Sequence, residues 1–222
     1  MRSPFSPVYL LLFVMLIGFL LVFVQVGILT IAFEKLGLSA HSAFLLLFSS
    51  LLGSTINLPL FRIDAEPATI EDVPRQLRGL LQRAMAEFHG KTLIAVNVGG
   101  GLIPVAFSLY LLNHHPLAVG QVVVATALVA TVCYFASRPI PGLGIGMPVF
   151  VAPIVAALVA IVINQTESAP LAYISGTLGV LIGADVLRLG NIRTMGVPIA
   201  SIGGAGTFDG IFLTGIVAVL LA

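Results

Sequence analysis

Charge is what this chain has least of. Only 9% of its 222 residues are Asp, Glu, Lys or Arg, against about a quarter in soluble domains, which excludes an ordinary soluble domain. Cysteine is nearly absent too. The lone Cys133 lies in an apolar run, so neither an intrachain disulfide nor a zinc–cysteine cluster is available. A net charge of +1 carries no argument for a nucleic-acid partner, and none is expected. Where the charges sit matters more than their sum.

What remains is hydrocarbon. Hydrophobic residues make up 59% of the chain, and mean hydropathy is +1.14. Several apolar runs approach or exceed the ~20 residues that cross a bilayer as helix. The expected fold is all-α: a polytopic membrane helix bundle, residues 1–222 forming one integral membrane domain.

Seven spans are expected: Tyr9–Phe33, His41–Phe61, Thr92–Leu112, Leu117–Ala136, Met147–Ile163, Leu171–Leu187 and Val197–Ala222. The first is too long for a signal-peptide core and reads as a retained anchor. Connections are short except Arg62–Lys91. That segment holds most of the charges and predicts a cytoplasmic amphipathic helix over Ile70–Phe88, with Glu71, Asp72 and Pro74 at its start.

With the N-terminus cytoplasmic, nine of the ten basic residues fall inside: Arg2, Arg62, Arg75, Arg78, Arg83, Lys91, Arg138, Arg188 and Arg193. Only Lys35 falls outside. The positive-inside rule therefore predicts a multi-pass protein of the inner (cytoplasmic) membrane with lipid as its first partner.

Seven of the nine acids lie in loops or at interfaces, leaving Asp185 and Asp209 within or beside the last two spans. A carboxylate at membrane depth costs roughly 2.5–3.5 kcal/mol on insertion scales and points to function. No lysine or arginine lies inside a span, but Arg188 is three residues beyond Asp185 and is spaced to pair with it.

Glycines and amides crowd the same side. Gly53–Pro59, Asn97–Pro104, Gly142–Pro148, Gly183–Asp185 and the run from Gly203 are five helix ends expected on the cytoplasmic half. Asn57, Asn97, Gly99, Gly100, Gly203, Gly204, Gly206 and Thr207 are candidate substrate- or ion-binding positions. Each also has an ordinary role: small residues let membrane helices pack closely, and amides bond between helices. Asp209 with Thr207 also suits a helix cap. His41, His114 and His115 fall on the outer side, away from the carboxylates, so no metal site and no cofactor is expected.

Length decides the geometry of the last span. Gly210–Ala222 is thirteen residues, about 20 Å of helix, short of the ~30 Å hydrocarbon core. Gly203, Gly204 and Gly206 penalise helix. The run is therefore expected to be unwound or re-entrant, ending in Asp209 at the start of a half-helix. Such backbone is tolerated at membrane depth only when buried in protein or lining a cavity.

The motifs Gly-Ser-x-Ile-Asn-x-Pro (Gly53–Pro59), Asn-Val-Gly-Gly-Gly-Leu-Ile-Pro (Asn97–Pro104), Gly-Ala-Asp (Gly183–Asp185) and Gly-Gly-Ala-Gly-Thr-Phe-Asp-Gly-Ile-Phe (Gly203–Phe212) resemble an uncharacterised family of bacterial and archaeal membrane proteins. That family is known as a domain of unknown function, number sixteen-fourteen, and implies no activity. In layout alone, two aspartates on successive late helices resemble the presenilin and signal-peptide-peptidase type of intramembrane aspartyl protease. That resemblance implies Asp185 and Asp209 as a catalytic dyad acting on a transmembrane peptide. The chain departs from that type, since Thr207 and Phe208 separate the glycines from Asp209, and Ala184 precedes Asp185 where a tyrosine is usual.

Two functions are thus expected in order. The first is an aspartyl-protease-like enzyme using Asp185 and Asp209. The second is a cation- or proton-coupled transporter with Asp185, Asp209 and Asn97 in its site, because broken helices, amides and lone carboxylates also build ion sites.

Overall fold

The computed structural model describes residues 15, 27–67, 88, 90–142, 144–204 and 210–222. Its described helices are α1 (Gly27–Lys35), α2 (Ala40–Gly53), α3 (Ile103–His114), α4 (Val119–Ala136), α5 (Val151–Ile163), α6 (Ser168–Val180) and α7 (Gly210–Leu221). A π-helical turn, Val98–Leu102, leads into α3. Another, Leu181–Asp185, continues α6 into a 3-10 helix, Val186–Thr194. The chain is mostly helical, but the all-α expectation misses two small sheets.

The larger sheet has the order β1 (Asn57–Asp64), β2 (Lys91–Asn97), β5 (Ile199–Ile202). β1 and β2 are antiparallel, and β2 and β5 are parallel. The second sheet is the hairpin β3 (Arg138–Ile140) and β4 (Gly144–Gly146).

Several predicted spans change accordingly. His41–Phe61 is helical only to Gly53, after which it becomes β1. Thr92–Leu112 begins as β2 and turns helical only through the π turn. Within Val197–Ala222, Ile199–Ile202 is strand, so no continuous helix crosses that segment. The ends of Arg62–Lys91, expected as loop, are ladder positions: Arg62 pairs with Leu93 and Asp64 with Lys91. The amphipathic helix over Ile70–Phe88, its last residue apart, and most of Tyr9–Phe33 lie outside the described residues.

Two described helices are long and apolar enough to cross a membrane, Val119–Ala136 and Ser168–Thr194. A third span arises if α1 and α2, bent by 107°, count as one. Val98–His114 and Val151–Ile163 are apolar but shorter. α4 shows what a lipid-compatible helix needs: Val123, Leu128 and Phe135 are exposed on one face, while Ala125, Val129 and Cys133 are fully buried on the other.

α6 is the centre of the bundle. Twelve of its thirteen residues are buried, and α3, α4, α5 and α7 all pack on it. Its small residues make this possible. Gly176 faces Ala156 of α5, and a Cβ on Gly183 would collide with the carbonyl oxygen of Ala130 in α4. Under the larger sheet lies a separate small core of Ile94, Ile192, Met195 and Val197, so the 3-10 helix packs against the sheet.

Candidate functional site

β2 and β5 run parallel, and each is followed by glycines. Val96 pairs with Ile202, so the two glycine clusters leave the sheet side by side. Gly203 adopts φ +84°, and a Cβ there would stand 2.6 Å from the Gly101 nitrogen. Glycine is required at that position by conformation and by space alike. Asn97–Ile103 and the run from Ile202 look alike in sequence, and the structure sets their starts in contact.

Asn97, only 1% exposed, locks the first cluster. Its Nδ2 donates to the Ser54 carbonyl at 2.7 Å and to Asn57 Oδ1 at 3.1 Å, and its Oδ1 accepts the Gly100 N–H at 2.8 Å. Asn57 Oδ1 also accepts from the Ser201 hydroxyl at 2.6 Å. Ser50 donates to the Gly99 carbonyl at 2.7 Å, and a Cβ on Gly99 would strike the Ser50 carbonyl. These are the contacts of a clamp joining α2, β1, β2 and β5. Both Nδ2 donors of Asn97 and one lone pair of its Oδ1 are engaged inside it.

Asp185 ends the second π turn. One of its oxygens, Oδ2, accepts the Gly203 N–H at 2.9 Å. The carboxylate thus docks on the first residue of the glycine run that leads to Asp209. Arg188, spaced to pair with Asp185, is engaged on the end of α4. Its guanidinium donates to the Tyr134 carbonyl and to Ser137, and lies 4.1 Å from the Tyr134 ring centre.

Asp185 lines a cavity of about 370 Å³. Ile199–Ile202 and Gly204 form one wall, Gly144–Met147 another, and Val180, Ala184 and Leu189 extend the apolar lining. The five glycine-bearing segments expected on one side therefore meet at one end of the bundle. Gly53 lies against Gly99, Gly101 against Gly203, Asp185 against Gly203, and Gly144–Gly146 across the cavity. Asp209, Gly206 and Thr207 lie outside the described residues. Among the described residues, no group of three or more His, Cys, Asp or Glu could hold a metal ion.

Sequence reasoning missed the strand walls of the cavity, Ile199–Ile202 and Gly144–Gly146. The signal for the second was the alternation Gly-Leu-Gly-Ile-Gly from Gly142 to Gly146.

At the other end of the bundle, His115 Nδ1 lies 2.8 Å from Glu167 Oε2, and Lys35 Nζ donates to the Val219 carbonyl at 3.3 Å.

The family model described as "Protein of unknown function (DUF1614)" matches residues 51–221, and the chain belongs to that family. No curated protein and no solved structure matches the chain.

Proposed function

We propose that the chain is a multi-pass protein of the inner membrane with its sheet end toward the cytoplasm, and that Asp185 and Asp209 form a hydrolytic carboxylate pair there. The orientation is supported by charge. Arg62, Lys91, Arg138, Arg188 and Arg193 all belong to the sheets or to the 3-10 helix packed beside them, whereas Lys35 sits at the opposite end with His115 and Glu167. The seven-span count remains part of this proposal.

One observation carries the chemistry: the 2.9 Å bond from the Gly203 N–H to Asp185 Oδ2. It ties a carboxylate at an apolar cavity to a segment whose other acid is six residues further on. Two acids at close range share a proton, since both cannot ionise together. The ionised one takes a proton from water as the water oxygen attacks the scissile carbonyl carbon. The protonated one gives its proton to the carbonyl oxygen. Collapse of the tetrahedral adduct breaks the C–N bond, and the amine leaves with a proton. The substrate class is a membrane-embedded peptide. The test is cleavage of a panel of single-span substrates, compared with Asp185→Asn and Asp209→Asn.

A second reading is proton- or cation-coupled transport. It is favoured by the buried hydroxyls of Tyr173, Ser175 and Thr177 on α6. They lie between Glu167 at one end of α6 and Asp185 at the other, where a hydrated relay would run. Asn97 in this reading offers the second lone pair of its Oδ1, since both Nδ2 donors and the first lone pair are engaged in the clamp. Unchanged flux through Asp209→Asn in proteoliposomes would remove this reading.

A further inference from the structure

At the end of the bundle away from the sheets, one histidine joins three helix ends. His115 is the C-cap of α3, and Glu167 is the N-cap of α6. Leu36 lies in the corner between α1 and α2, which are bent by 107°. His115 Nδ1 lies 2.8 Å from Glu167 Oε2, and its Nε2 lies 3.4 Å from the Leu36 carbonyl oxygen. The two side chains are only 18% and 19% exposed. A carbonyl and an ionised carboxylate only accept hydrogen bonds, and a neutral imidazole has a single N–H. With neutral His115 and ionised Glu167, one of the two contacts therefore sets lone pair against lone pair.

Both contacts are made only when the pair holds one further proton. It is then an imidazolium donating from both nitrogens, or a carboxylic acid donating to Nδ1 while Nε2–H donates to Leu36. Loss of that proton leaves one N–H for two acceptors. The shorter, charge-assisted contact to Glu167 keeps it, and the Leu36 contact is given up. The neighbouring charges lie apart from this exchange. Glu34 and Lys35 end α1, His41 is in the first turn of α2, and His114 ends α3, while the facing ends of α4, α5 and α7 bear no titratable side chain. Lys35 Nζ donates to the Val219 and Leu220 carbonyls at 3.3 and 3.5 Å, and His114 Nδ1 lies 2.9 Å from the Tyr110 carbonyl. Among the described residues, Glu167 is the one carboxylate within ion-pair distance of His115.

We propose that His115 and Glu167 form a pH-sensitive latch on the α1–α2 corner, closed while the pair holds its proton and open once that proton is lost. The carboxylate side of the latch is fixed. The Glu167 N–H donates to Asn164 Oδ1 at 3.1 Å, and Asn164 Nδ2 donates to Gln121 Oε1 of α4 at 3.3 Å. The corner is therefore the side that lets go. α2 runs from this corner to the Asn97 clamp, where Ser50 and Gly53 meet Gly99. The latch thus governs the anchorage of the helix that buttresses the clamp. It stands apart from both readings of Asp185 and Asp209. On the orientation proposed above, the pH it reads is that outside the cell.

The test uses the full chain in lipid nanodiscs, where both faces meet the same buffer, so it does not depend on orientation. Hydrogen–deuterium exchange is followed at the corner amides of Gly37 and Leu38, which donate to Glu34 and Phe33. Rates at pH of about 5.5 and about 9, on either side of histidine titration, are corrected for the intrinsic pH dependence of exchange. Protection of the corner falls about fivefold at the higher pH, the loss expected of one net hydrogen bond, while α6 keeps its protection. Glu167→Gln is the decisive variant. Its amide N–H donates to Nδ1 at any pH and leaves Nε2–H for Leu36, so the corner stays protected at both values. His115→Phe bonds neither group and shows the lower protection at both. Unchanged protection in the unmodified chain overturns the proposal, as does a fivefold fall in Glu167→Gln or a pH-dependent corner in His115→Phe. Should His115→Phe not fold, Glu167→Gln, which keeps the native side-chain shape, decides alone.

Discussion

The Asp185 carboxylate accepts the backbone N–H of Gly203 at 2.9 Å, across eighteen residues of sequence. This bond joins the end of the central helix to the turn after β5. It also separates two effects that mutation normally confounds. Asp185→Asn keeps a carbonyl oxygen to accept the N–H, so stability in detergent should change by less than about 1 kcal/mol. Gly203→Ala puts a Cβ 2.6 Å from the Gly101 nitrogen at φ +84° and should cost about 2 kcal/mol or more. Thermal unfolding of both variants checks this pair. Equal unfolding temperatures would contradict the geometry.

Asn97 is expected to act on stability. Asn97→Leu strands the Ser54 carbonyl and the Gly100 N–H, both bonded to Asn97, and should cost about 2–3 kcal/mol. Denaturant unfolding measures it. A variant as stable as the unmodified chain would make Asn97 a ligand-binding residue after all.

How far the sequence foretold this arrangement can be judged element by element. Leu117–Ala136 and Leu171–Leu187 were legible because each is a long apolar run bounded by polar residues. They correspond to Val119–Ala136 and Ser168–Thr194. The convergence of five glycine-bearing segments was legible too, from the spacing of breaks along the chain. The larger sheet was not. Lys91–Asn97 and Asn57–Asp64 adjoin apolar helices, and a hydropathy window merges strand and helix into one run. The β-branched Thr92, Ile94 and Val96 were the available hint, with Thr92 and Ile94 buried in the fold. The Asn97 clamp depends on pairing between segments forty residues apart, which no local pattern encodes.

Cys133 is fully buried within α4. A membrane-permeant maleimide should label it at a negligible rate in the folded chain and rapidly after denaturation. Labelling in the folded state at the rate of a free peptide thiol would contradict the packing of α4 against α6.

Orientation is checked on a Cys133→Ala background. Asp64→Cys, exposed at the sheet end, should react with an impermeant maleimide only from the cytoplasmic side. Asn113→Cys, exposed near the other end of α3, should react only from outside. The reverse pattern would invert the assignment.

On the proteolytic reading, Asp185 and Asp209 act as one unit. The most direct measurement is the cleavage rate of a single-span substrate by Asp185→Asn, Asp209→Asn and the double variant. Acids that share one reaction are grossly non-additive. Each single variant should therefore lose at least about a hundredfold, on the scale of acid–base catalysis, and the double variant should lose no more than the worse single. Losses that multiply, or one single variant cleaving at the unmodified rate, would contradict the claim.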